Sequence, residues 1–101
     1  MTYAKKRDRN SLEVIKEFRR LGCTVEDLGS VGKGVPDLLV GIIGWGMYPY
    51  DRMNALVEVK DGPKAKLTDD QTVWHSKWKG QVCIVRNLED VRNLVKSYRG
   101  E

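Results

Sequence analysis

Three side chains near the middle of the chain have types and a spacing that together suggest chemistry: Asp37, Glu58 and Lys60. Val35-Pro36-Asp37 opens the apolar run LLVGII at 38–43, and Glu58-Val59-Lys60 closes a second run that starts at Ala55. The connection between the runs is rich in glycine and contains proline, so an antiparallel hairpin is the simplest pairing. Its midpoint falls at residue 47 or 48, which brings Asp37 and Glu58 to the same end of a sheet. Strand alternation then sets Glu58 and Lys60 on one face and Val57 and Val59 on the other. Two carboxylates at close range repel each other unless positive charge stands between them. Mg²⁺ does this with one or two carboxylates and several waters, and it binds phosphate. Mn²⁺ suits the same oxygens. Such a metal polarises a phosphoryl oxygen and lowers the pKa of a bound water, while an ammonium such as Lys60 stabilises hydroxide or charge developing on phosphorus.

The elements that must position these groups are legible in the periodicity. Residues 10–21, NSLEVIKEFRRL, predict an amphipathic helix with Leu12, Val14, Ile15, Phe18 and Leu21 inward and Lys16, Glu17, Arg19 and Arg20 outward. Asn10 is a candidate N-cap and Gly22 a C-terminal stop. A short strand is expected over 23–28, then the loop Gly29-Ser-Val-Gly-Lys-Gly34 leading to Asp37. After the two central strands a helix is expected over 68–79, stopped by Gly80, with Val73, Trp74 and Trp78 as core. A strand over 82–85 follows, then a last helix capped by Asn87 with Val91, Leu94 and Val95 inward. The order αβββαβα describes a single α/β domain around a mixed sheet, with residues 1–9 as a basic end.

Composition narrows the setting. The chain has 101 residues, enough for one domain. No apolar run approaches the ~18 residues that span a bilayer, and the N-terminal MTYAKKRDR has no apolar core behind its charges, so neither a membrane protein nor a signal peptide is expected. Cys23 and Cys83 are far apart within apolar stretches and are expected to be free thiols, which fits the cytoplasm. The net charge of +4 accords with a polyanionic partner without requiring one. Lys64 and Lys66 stand in the same loop as Lys60 and are candidate phosphate contacts, as is Lys33 beside the loop amides. The lone His75 has no partner for a zinc site.

The ordered pieces GVPDLLVG at 34–41, LVEVKDG at 56–62, KLTDDQTVWH at 66–75 and KGQVCIV at 79–85 resemble the VRR-Nuc (virus-type replication–repair nuclease) family of the PD-(D/E)xK superfamily, especially its small stand-alone phage versions. The resemblance implies a restriction-endonuclease-like core and metal-dependent phosphodiester hydrolysis in DNA, in the cytoplasm of a bacterial host if the chain is phage-encoded. It implies Asp37, Glu58 and the main-chain carbonyl of Val59 as metal ligands, and Lys60 as the group that positions or activates water. Gln71 matches the family's helix glutamine, and Glu13 looks like its first-helix glutamate.

Several of these residues have a plainer reading. Thr68-Asp-Asp-Gln71 is a capping box that would account for Gln71, and Asn10-Ser-Leu-Glu13 is cap-like at Glu13. Trp45, Tyr48 and Tyr50 in the long connection suit a subunit interface or base stacking. A chain this small needs two copies to cut both strands together, so a homodimer is expected. The alternatives are a non-catalytic DNA-binding module on a nuclease-like scaffold, and an assembly protein whose acidic pair holds a structural cation.

Overall fold

The computed structural model describes residues 8–44 and 51–101 of the chain. The calls on Trp45, Tyr48, Tyr50 and the basic residues Lys5, Lys6 and Arg7 lie outside them. The elements run α1 (Ser11–Arg20), β1 (Thr24–Asp27), β2 (Leu38–Ile43), β3 (Arg52–Val59), α2 (Asp69–Lys77), β4 (Val82–Val85) and α3 (Leu88–Arg99). This is an α/β fold with a mixed four-stranded sheet in the order β1-β2-β3-β4. β1, β2 and β3 pair antiparallel, while β3 and β4 are parallel and joined through α2.

The central hairpin has the register expected from the spacing. Leu38 faces Val57 and Ile43 faces Arg52, so one further step sets Asp37 across from Glu58. The second strand begins earlier than the sequence suggests, at Arg52 rather than Ala55. Arg52, Met53 and Asn54 are extended because they pair with Ile43, Ile42 and Gly41, and cross-strand pairing overrides the poor strand propensity of asparagine.

Cross-strand neighbours share a face. Leu38, Val40, Ile42, Ala55, Val57, Val59 and Val85 therefore form one surface, buried against Val14, Ile15 and Phe18 of α1 and Val91 and Val95 of α3. Phe18 is wholly buried, and truncating such a residue to Ala typically costs ~3–5 kcal/mol. Cys23 and Cys83 are free thiols, and burial raises the pKa of each.

Helix α1 departs from the expected pattern at two positions. Leu12 is 67% exposed, whereas Glu17 is buried. Glu17 Oε1 accepts from Arg20 Nε at 2.7 Å, and its Oε2 from Arg92 Nε of α3 at 2.7 Å. The second partner comes from another helix, so the period of α1 alone does not reveal it. Arg99 ties α3 to the end of α1 by donating to the Leu21 carbonyl at 2.7 Å. Gly22, at φ 86°, takes the left-handed turn that ends α1.

Helix α2 lies on the other face of the sheet, since it meets Glu58 (below) and Glu58 alternates with the core residues Val57 and Val59. Its only buried residue is Gln71. Val73 and Trp78 are 51% and 47% exposed, so the expectation of a tryptophan core is corrected. The helix also ends at Lys77, short of Gly80, because Trp78 turns extended at ψ 124°. Among the described residues no helix is long and apolar enough to cross a membrane.

Candidate active site

Asp37 is held at the mouth of β2 by backbone on both sides. The loop before it turns through three left-handed residues, Gly32, Lys33 and Gly34, at φ 72°, 57° and 83°, which glycine tolerates and lysine adopts at some cost. The Leu28 N–H donates to the Asp37 carbonyl at 2.7 Å. The side chain reaches across the hairpin, where Asp37 Oδ2 accepts from the Val59 N–H at 2.7 Å. A carboxylate here extends the ladder by one bond beyond the first residue of β2. In an extended strand the N–H and C=O of one residue point to the same side, so the Val59 carbonyl is also directed towards Asp37.

Glu58 sits across from Asp37 with its side chain on the α2 face. Its Oε2 accepts from Gln71 Nε2 at 3.2 Å. Gln71 also completes the capping box of α2: its Oε1 accepts from the Thr68 N–H at 2.9 Å, and its N–H donates to Thr68 Oγ1 at 3.2 Å. The cap and the site are therefore served by one side chain. A carboxylate accepts and a backbone N–H donates, which fixes the amide orientation.

Lys60 is fixed by its backbone on the β4 side. Its N–H donates to the Val85 carbonyl at 3.0 Å, and its C=O accepts from Asn10 Nδ2 at 3.1 Å. Asn10 Nδ2 also donates to the Arg86 carbonyl at 3.2 Å, so its side chain joins β3 to β4 and does not cap α1. The loop beyond Lys60 is pinned by Arg86, which donates to the carbonyls of Gly62 at 2.9 Å and Ala65 at 2.6 Å. Sequence reasoning missed Asn10 and Arg86 as supports. Nothing in their spacing reveals contacts made across more than twenty residues.

Asp37, Glu58, Lys60 and Gln71 are 4%, 1%, 5% and 4% exposed. Like-charged carboxylates this deeply buried require neighbouring cations or donors, and the Val59 N–H and the Gln71 amide are among those they have. Two carboxylates and a main-chain carbonyl are a hard-oxygen set of the kind Mg²⁺ or Mn²⁺ takes while keeping water. Among the described residues no group of three or more His, Cys, Asp or Glu is assembled for a metal.

The remaining candidates stand apart from this cluster. Glu13 is exposed on α1, in a cleft shared with Asn10, Val14, Asp61, Arg86, Asn87 and Leu88, none of them a member of the buried group. Lys64 and Lys66 are exposed in the pinned loop, and Lys33 is exposed beside α2. Gly34 presses on the start of α2, where a Cβ would lie 2.3 Å from the Asp70 carbonyl oxygen. Comparison with protein-family models, curated proteins and solved structures finds no match to the chain.

Proposed function

We propose that this protein is a divalent-metal-dependent endonuclease that hydrolyses phosphodiester bonds in DNA, as the resemblance to the VRR-Nuc family implies. The observation that carries the reading is the hairpin register, which sets Asp37 across from Glu58 at one end of the sheet. Both are buried there with Lys60 and Gln71. Asp37, Glu58 and the Val59 carbonyl would hold Mg²⁺ or Mn²⁺. When bound, the cation supplies polarisation of the phosphoryl oxygen and a water of lowered pKa.

The chain's own groups do the rest. Gln71 donates to Glu58 and so directs its carboxylate. The ammonium of Lys60 holds the attacking water and offsets charge that develops on phosphorus. Lys33, Lys64 and Lys66 contact backbone phosphates, and Glu13, exposed on α1, acts at the periphery of the site. The active form is a homodimer, since one small domain offers a single site, and the protein works in the cytoplasm.

The test is incubation of labelled duplex, flap and four-way junction with Mg²⁺, Mn²⁺ or EDTA. Cleavage that needs the metal supports the reading, and the preferred substrate defines structure specificity. A second reading is favoured by one observation: Asp37 and Glu58 each accept a hydrogen bond that holds an element in place. In it the cluster is a structural polar network in a non-catalytic DNA-binding module. Salt-dependent DNA binding with no cleavage under any metal would select it.

A further inference from the structure

Trp74 and Trp78 form a stacked pair on the protein surface, with ring centroids 4.7 Å apart and planes 17° apart. Trp78 remains 47% exposed. Beside the pair is a groove of about 260 Å³ lined by Lys33, Asp70, Val73, Trp74, Lys77 and Trp78.

The groove and the buried cluster are linked by one helix, since Gln71 of the cluster and Trp74 of the groove both belong to α2. Gln71 and Trp74 stand at i and i+3 on one stripe of α2, and Trp78 follows just past the helix end at i+7, its N–H bonded to the Trp74 carbonyl. From Gln71 to Trp78 is ~10 Å along the axis, roughly the rise of three stacked nucleotides. Lys33 and Lys77 supply positive charge on its walls, against the one acidic wall residue Asp70. Aromatic faces with flanking cations along a track suit a single nucleic-acid strand, because every base offers a π-face.

We propose that the Trp74–Trp78 groove stacks an unpaired base of a DNA strand whose phosphate, about three nucleotides away, lies at Asp37, Glu58 and Lys60. This rests on the nuclease reading and narrows its substrate to DNA that is single-stranded on one side of the scissile bond. Lys33 and Lys77 hold the phosphates on either side of the stacked base.

The test is binding of a labelled twelve-nucleotide oligo-dT and a blunt hairpin duplex in EDTA, by wild type, Trp78→Ala and Trp78→Phe. Circular dichroism and thermal melting confirm that each variant is folded. Trp78→Ala is expected to weaken oligo-dT binding by about 5- to 150-fold, Trp78→Phe to keep most of it, and duplex binding to change by less than about two-fold. Equal oligo-dT affinity in wild type and folded Trp78→Ala would overturn the proposal, as would equal losses for oligo-dT and duplex. Protein-partner docking at the groove would give that first result. Because binding is read without metal, a selective loss in Trp78→Ala alongside a wild type that cuts nothing upholds the stacking groove and overturns the nuclease reading alone.

Discussion

Gln71 bonds at once to Glu58, to the Thr68 N–H and, through its own N–H, to the Thr68 hydroxyl. Two substitutions separate these jobs. Gln71→Ala removes the cap and the donor to Glu58 together, and is expected to lower stability by about 1–3 kcal/mol, measured by urea unfolding. Gln71→Glu keeps a capping-box residue but sets a third carboxylate beside Glu58. It is expected to melt below wild type in EDTA and to recover more of the difference when Mg²⁺ is added. From the sequence the two readings of Gln71 are rivals, because the capping pattern and the family motif fall on the same residue. The folded chain satisfies both, as the amide has an acceptor end and a donor end. Lys60 and Glu58 were readable from alternation. Asn10 was not, since its side chain serves strands fifty and more residues away.

At the scale of elements, what the sequence made legible was whatever a single element decides alone. The hairpin register and the inward face of α3 follow from local pattern, whereas β2, expected to be buried on both faces, buries only the face of Leu38, Val40 and Ile42. The surface of α2 does not follow from it, because Val73 and Trp78 have core chemistry yet stay about half exposed. The start of β3 was missed for the converse reason, as its pairing comes from β2. The contact between the glycine loop and α2 makes a prediction here. Gly34→Ala puts a Cβ 2.3 Å from the Asp70 carbonyl oxygen at a residue with φ 83°. Both the clash and the backbone strain displace the loop or the helix start. The expected loss is about 1–3 kcal/mol, with cleavage reduced further because the loop positions Asp37 and the helix positions Gln71. Equal urea midpoints for Gly34→Ala and wild type would contradict that contact.

Helices α1 and α3 are joined by an ion pair, Glu17–Arg92, that the periodicity of α1 alone does not foresee. Hydrogen bonds from Arg20 and then Arg92 hold the Glu17 carboxyl down from 4.5 to about 2. A lowered folded pKa means the unfolded chain binds more protons in that window. The stabilisation is therefore complete above about 4.5 and is lost as the pH falls towards about 2. Glu17→Gln is expected to melt lower than wild type at pH 7 and to show a shallower decline between pH 5 and pH 2. Parallel melting curves across that range would contradict the role of the α1–α3 bridge. The homodimer is tested by sedimentation, where a monomer alone at micromolar concentration would count against it.

The measurement that bears most directly on the central claim compares wild type with Lys60→Ala on labelled flap and four-way junction DNA, with Mg²⁺ present, recording both binding and cleavage. The account predicts that wild type cuts, and that the variant binds DNA with similar affinity while cutting at least ~100-fold more slowly. If Lys60→Ala cuts at the wild-type rate, or wild type cuts neither substrate with Mg²⁺ or Mn²⁺, the buried cluster is not a hydrolytic centre.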